Sequence, residues 1–453
     1  QRGDLPRSVR ADRGHGVRRH DRQPVTAWRP PLCWVFRQNR GVTTVKARVT
    51  YRQVLAVREF RALFLSQVLS MVGDQVARIA MALLVYERSG SAFGASATYA
   101  CSYLTWLVGG PILSALADRR CRRNIMVFTD VARGLLVAVL LMPTPPLWLV
   151  FAVLAAVGLL APPFESARSS ILPDILTGDA YVSANTLVNT TIQASQVTGF
   201  LFGGILVALF SVRGALALDV ATFAVSAIVI RRWVAARPPV ASRRRLLGDV
   251  ADGFRLVRED LFLRGLLQYA VIATAVAIVP EGLAVAVAAD QGRGAVAAGV
   301  LTAALPAGYV LASTLLLRLP AQTRPSWLLR LTLVLCLPLL LTPLAPNVAV
   351  TTALWVVAGL GTSVQLIASV AFVAACPAHM RGRTFGIASS ALMLTQGAAL
   401  LVAGAVADTV GSRNVVAAAG AAGLMLLLAL RGRLALDQPN VQESSGTRRP
   451  LPG

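Results

Sequence analysis

Twelve apolar runs constrain this chain more than any other feature. They cover residues 60–86, 93–116, 125–142, 147–164, 184–210, 212–231, 264–288, 295–317, 327–343, 348–375, 384–408 and 412–431. A bilayer core about 30 Å thick takes roughly 20 residues to cross as a helix, so each run spans it or nearly does. The shortest are 125–142 and 327–343. Lipid satisfies no backbone polar group, so such runs must be helical. The chain is 55% hydrophobic and only 14% charged, where a soluble domain carries about a quarter charged residues. The expected fold is all-α and integral to the membrane. Twelve transmembrane helices form two six-helix halves, 59–231 and 264–432, joined by a linker at 232–263.

The net charge of +23 invites a nucleic-acid reading, but that needs a clustered basic patch. Here the arginines fall in short bursts between apolar runs. With the N-terminus inside, the cytoplasmic loops, the C-terminal tail at 433–453 and the adjoining run ends (Arg231, Arg264, Arg330 and Arg431) hold 23 Lys/Arg, whereas the opposite loops and run ends hold only Arg88, Arg213, Arg293 and Arg413. That asymmetry places both termini in the cytoplasm, and an odd number of spans would scramble it. Membrane lipid rather than nucleic acid is the expected partner. The excess of Ala, Val, Leu, Arg and Gly fits a GC-rich bacterial gene, hence a bacterial plasma membrane, and a monomer is expected.

Residues 1–58 form a basic tail without the apolar stretch of a signal peptide. No methionine precedes Met71, so two readings stand. Either the true start lies near Val42 to Val49 and the residues before it are mis-annotated, or a disordered tail touches anionic lipid. In the linker, Leu246, Leu247, Val250, Phe254 and Val257 recur at helical spacing, which predicts a short helix, lying on the inner leaflet or simply solvated. A shift of 200 residues matches Gln196 to Gln396, Leu201 to Leu401, Gly204 to Gly404 and Arg213 to Arg413. Internal repeats of this kind mark transporter folds.

A charge at mid-bilayer costs about 2.5–3.5 kcal/mol on insertion scales and marks a functional candidate. Asp74 lies near the middle of the first span, and Arg78 follows one turn later, where it can pair with it. Asp74 is then either a proton-coupling carboxylate or half of a permanent structural pair. Glu281 follows Pro280, whose ring frees a backbone carbonyl. It could take up a proton, bind a cationic substrate, or be solvated at the outer interface. Asp219, Asp290 and Asp408 are expected at interfaces. Gln193, Gln196, Gln365 and Gln396 are candidates for lining a cavity between the halves, with helix-to-helix hydrogen bonding as the rival role. The histidines, His15, His20 and His379, all fall outside the spans, so a transported proton would ride on carboxylates. The five cysteines form no CxxC, and no disulfide framework or metal site is expected. No phosphate-binding loop, HExxH, nucleophile elbow or dinucleotide fingerprint occurs. Neither an enzyme, a cofactor nor direct use of ATP is expected.

The loop after the second span reads "GGPILSALADRRCRRNIMVFTD". It resembles the loop signature of the major facilitator superfamily, Gly-x-x-x-Asp-Arg-x-Gly-Arg-Arg. Asp118, Arg119, Arg122 and Arg123 match, while Ser114 and Cys121 replace the glycines. The resemblance implies a cytoplasmic gate formed by these four residues, with Asp130 and Arg133 extending it; plain positive-inside anchoring is the alternative. "PPFESARSSILPDIL", "YVSANTLVNTT", "PAHMRGRTFGIASS" and the first span are similar to the macrolide-efflux-like branch of the drug:proton antiporters. "SQVTGFLFGGIL" resembles the antiporter motif. Gly199, Gly203 and Gly204 match there, but Phe200 stands where the motif has proline, which puts the kink in doubt. Small residues at that spacing also simply let helices approach. The resemblance implies alternating access with proton-coupled export of a small amphiphilic compound or drug. Uptake of a metabolite or lipid, and a non-transporting sensor or scaffold, are the rival readings.

Overall fold

The structure is a computed structural model that describes residues 50–117, 120–237, 254–318, 327–376 and 380–436. The N-terminal tail to residue 49, Asp118, Arg119, most of the linker and the tail beyond 436 lie outside them. All secondary structure among the described residues is helical: α1 (Tyr51–Ala56), α2 (Arg58–Ser89), α3 (Ala92–Ala117), α4 (Arg122–Val139), α5 (Leu147–Ile175), α6 (Asp179–Trp233), α7 (Leu261–Asp290), α8 (Ala295–Arg318), α9 (Leu328–Leu340), α10 (Val348–Thr362), α11 (Val364–Ala375), α12 (Arg381–Val410) and α13 (Ser412–Leu436), with a 3-10 turn at Thr342–Leu344.

The 55-residue α6 is two crossings, because its backbone breaks at Ser211, with φ 66° and ψ 173°. That break falls in the one-residue gap between the apolar runs 184–210 and 212–231. Helices α10 and α11 are one crossing, parted by Ser363. Counted so, the described helices make twelve crossings, six on each side of the linker. Eight helices qualify as membrane spans on length and hydropathy alone. Helix α4 carries Asp130 and Arg133 along its length, and α9 is only 13 residues long. Side chains such as Trp148, Leu209, Met425 and Phe128 are 66–70% exposed, which water would penalise and lipid does not.

Turn chemistry follows the sequence closely. Gly90 ends α2 in the left-handed region at φ 64°, and Gly292 and Gly411 serve the later turns at φ 65° and 89°. The repeat is visible in bonding as well as in sequence. Arg213 donates to the carbonyl of Pro143 at 2.5 Å, and Arg413 donates to that of Pro343 at 2.7 Å and to Ala345. Donor and acceptor are thus both shifted by 200 residues, and each arginine ties the last crossing of its half to the loop between the third and fourth.

We call the end where α2 begins proximal and the opposite end distal. The halves pack tightly in the distal region. A Cβ on Gly299 of α8 would lie 2.7 Å from the Phe200 carbonyl and 2.9 Å from Gly204 Cα of α6, and one on Gly404 of α12 would lie 2.8 Å from Phe93 Cα of α3. Glycine is required at both crossings because no side chain fits between the backbones. Asp408 of α12 accepts from Ser91 Oγ at 2.6 Å and from the backbone N–H groups of Ala92 and Phe93 at 2.6 and 3.3 Å. A carboxylate from one half therefore caps the N-terminus of α3 in the other, where the helix dipole favours it. At the proximal end Arg237, just past α6, pairs with Glu59 at 2.5 Å, and Arg122 pairs with Asp174 at 2.8 Å. Of the expected linker helix, only its end is described. Val257 is buried against α7 and α11, while Phe254 is 58% exposed.

Candidate functional site

Two groups of charged side chains occupy the interior, and they re-sort the residues singled out in the sequence. The first is inside the N-terminal half. Arg133 of α4 donates to both carboxylate oxygens of Asp74 of α2, each at 2.8 Å. The expected pairing of Asp74 with Arg78 on its own helix is not formed. Arg133 crosses from the neighbouring helix, and the face of the Phe223 ring, 4.4 Å from its guanidinium carbon, holds it there by cation–π attraction.

Asp130 and Arg133 lie inside the N-terminal half. They are 0% and 5% exposed, because they sit two and three turns into α4 on the face packed against the second limb of α6. Asp130 Oδ2 accepts from Ser226 Oγ at 2.5 Å. Asp219 also departs from its expected interfacial position. It lies two turns into that limb and is 1% exposed, facing Asp74 and Arg133. Its depth below the start of its span was the available signal. Of the other gate candidates, Asp118 and Arg119 lie outside the described residues, and Arg122 bonds Asp174 and the Ser170 carbonyl. Arg123 starts α4 beside it. The Glu165–Arg168 pair at 2.5 Å is local to α5.

The second group joins the halves. Arg78 stacks on the Tyr103 ring of α3 at 5.7 Å. Glu281 of α7 faces Arg78, and the Tyr103 hydroxyl is within reach of both. Glu281 is half-buried, so it is not merely solvated at a loop. Next to it, Gly282 packs so closely on Leu400 and Ser96 that a Cβ would meet them at 2.2 and 3.3 Å. Tyr99, 1% exposed and 6.5 Å from the Phe200 ring, fills the space between the halves. Neither tyrosine was singled out in the sequence, since an aromatic residue in an apolar run carries no polar signal.

The glycines of the antiporter-like motif have packing roles. Cβ atoms on Gly199 and Gly203 would collide with Gln75 Cβ at 2.6 Å and Ile79 Cγ2 at 2.4 Å on α2, while Gly204 faces α8. No kink interrupts the first limb of α6 at Phe200, which is helical throughout.

A cavity of about 240 Å³ opens in the proximal part of the C-terminal half, between α7, α8, α11 and α12. Leu266, Leu366, Phe372, Phe385 and Leu392 make it largely apolar, and Thr274, Tyr309, Gln365 and Ser389 add polar points without any charge. Gln365 lines this cavity, whose lining residues all come from the C-terminal half and not from both halves. Gln193, Gln196 and Gln396 are half-buried elsewhere, and the Gln396 amide turns back to the Leu392 carbonyl at 3.3 Å. No group of His, Cys, Asp and Glu among the described residues could hold a metal.

A multi-pass helical bundle with internal repeats, charges buried between helices and an uncharged cavity has the architecture of transporter folds. Residues 63–280, just under half of the chain, match the family model of the Major Facilitator Superfamily. An uncharacterised transporter of this type, YfiS of Bacillus subtilis, is 25% identical over 46% of this chain and 52% of its own length. Its counterpart YvqJ is 24% identical over 56% and 63%, so the chain spans about half to two thirds of these relatives. The multidrug efflux pump Tap of Mycobacterium tuberculosis is 25% identical over 83% of this chain and 92% of its own. Among solved structures, the nucleoside transporter NupG superposes with a TM-score of 0.66 at 12% identity, covering 82% of this chain and 99% of that one. A bacterial homologue of the lysosomal transporter Spinster, inward-facing and unoccupied, superposes at 0.60 with 15% identity, covering 86% and 97%. These identities speak to fold alone.

Proposed function

We propose that this transporter exports small amphiphilic compounds in exchange for protons, by alternating access across a bacterial plasma membrane with both termini in the cytoplasm. The observation that carries the reading is the cavity. It is largely apolar, bears hydroxyl and amide groups but no charge, and lies toward the proximal end while the distal ends of the two halves are packed backbone to backbone. With the proximal end cytoplasmic, as the arginine distribution indicates, a lipophilic compound would enter from the inside. The alignment with a multidrug efflux pump along most of the chain supports the direction. Asp74 and Glu281 supply carboxylates in the interior, each beside an arginine from another helix. Proton movement that changes either pairing would bias one half against the other.

The test uses everted vesicles energised to acidify the lumen, with lumenal pH followed as lipophilic antibiotics and dyes are added. Compound-dependent alkalinisation that disappears in Asp74→Asn is the expected result. Wild-type exchange in that variant would sink the assignment of Asp74, and no response across a broad panel would sink drug:proton exchange.

A further inference from the structure

Three carboxyl groups share one guanidinium inside the N-terminal half. Asp74 comes from α2, Asp130 from α4 and Asp219 from the second limb of α6, and Arg133 stands among them. Arg133 is committed to Asp74 through two bonds at 2.8 Å. Asp74 keeps 28% of its side chain exposed, whereas Asp130 and Asp219 are 0% and 1% exposed. The better-hydrated carboxylate thus holds the cation, and the two that water cannot reach have only hydroxyl donors. These are Ser226 for Asp130 at 2.5 Å and, weakly, Thr222 for Asp219 at 3.4 Å. Asp130 Oδ1 is fully enclosed with no hydrogen-bond partner. The backbone of α2 also closes over Asp219, since a Cβ on Gly73 would lie 2.6 Å from its Oδ1.

Fully ionised, the group would hold three negative charges against one positive. Desolvating each unpaired carboxylate costs several kcal/mol, and like charges sharing a site cannot all ionise. No other charged side chain among the described residues acts on Asp130 or Asp219 from the helices around them.

We infer that the buried carboxyls of Asp130 and Asp219, each set beside the Asp74–Arg133 pair, are the proton store of this transporter, and that Arg133 is the element their deprotonation moves. The inference rests on the proton-exchange reading above and shifts the carrier from Asp74 to the carboxyls behind it. A proton that enters from water past Asp74 forms an O–H bond on one of them and leaves Arg133 free to hold Asp74. When the proton returns to water, the carboxylate left behind competes with Asp74 for Arg133. The guanidinium swings toward α6, and α2 is released from α4. Asp74 is then a positioning residue whose loss abolishes coupling without removing the stored proton.

Infrared difference spectroscopy on the purified full chain in nanodiscs, stepped from neutral to alkaline pH, tests this without any substrate. The expected result is a protonated-carboxyl band in the wild type at neutral pH. It should be lost in Asp130→Asn or Asp219→Asn and kept in Asp74→Asn. A wild type without the band, or a band unaltered in both asparagine variants, overturns the inference. If those variants do not fold, Ser226→Ala/Thr222→Val keeps both carboxyls and removes their hydroxyl donors. A shifted band then supports the site, and an unmoved one overturns it. The two readings fail separately. If the band is assigned as expected but no compound drives proton release, the export reading falls and the store stands. If compound-driven exchange persists in Asp219→Asn and Asp130→Asn, the store falls and the export reading stands.

Discussion

At the scale of the residue, Arg133 is the side chain on which most depends. It neutralises Asp74, faces two further carboxyls and lies against Phe223. Removing one partner of a buried pair typically costs about 3–5 kcal/mol, because the other charge stays behind uncompensated. Arg133→Ala is therefore expected to lower the thermal melting point and detergent-solubilised yield sharply. Arg78→Ala, which loses a contact to Tyr103 and Glu281 at the junction of the halves, should affect transport more than stability. Fluorescence-detected size-exclusion after heating measures both, and equal losses in the two variants would refute the ranking. Asp74 and Arg78 were legible as candidates because charge in an apolar run is conspicuous. Their partners were not, since a single helix shows only its own neighbours at three and four residues, while the actual partners come from α4 and α7.

At the scale of the element, helix crossings and one backbone break carry the argument. Gly299 and Gly204 meet backbone to backbone across the halves. Gly299→Val should pry the distal ends apart, raising the reactivity of a cysteine introduced there toward an impermeant maleimide. Gly386→Ala, with nothing within 4 Å of its added Cβ, should change nothing. Unaltered reactivity in Gly299→Val would show that this crossing does not seal the distal end. Ser211 holds φ at 66° where α6 turns between its crossings. Such a backbone costs a residue with a Cβ about 1–3 kcal/mol, so Ser211→Gly is expected to raise the melting temperature by a few degrees. A lower value would mean that the Ser211 side chain makes a contact worth more than the strain. The gap between the runs 184–210 and 212–231 had marked this point, because lipid tolerates no polar break inside a span.

At the scale of the whole molecule, the arginine distribution predicts an orientation with both termini in the cytoplasm. A fluorescent protein fused to the C-terminus is expected to fluoresce, and an alkaline phosphatase fused there to be inactive. The reverse would invert the assignment of the cavity and with it the direction of transport. The repeat adds a second constraint. Because Arg213 and Arg413 bind the carbonyls of Pro143 and Pro343, Arg213→Ala and Arg413→Ala should destabilise their own halves to a similar degree. Melting temperatures lowered by unequal amounts would show that the repeat is one of sequence and not of energetics.

The sequence alone determined that the chain is all-helical and multi-pass, and it set the register of the repeat. All of these follow from hydropathy and charge read along one dimension, against a solvent whose thickness is known. It also determined which residues are costly in lipid and hence worth attention. Only the tertiary structure decided which of those costly residues meet. It separated Asp74 from Arg78, turned Arg133 to Asp74, and drew Asp219 from an expected interface into the interior. It also placed Gln365 in a cavity and the other three glutamines elsewhere. The physical reason is that a buried charge takes its partner from whichever helix packs against it, and that choice is made by crossings of glycine and small side chains whose pairing no single helix encodes.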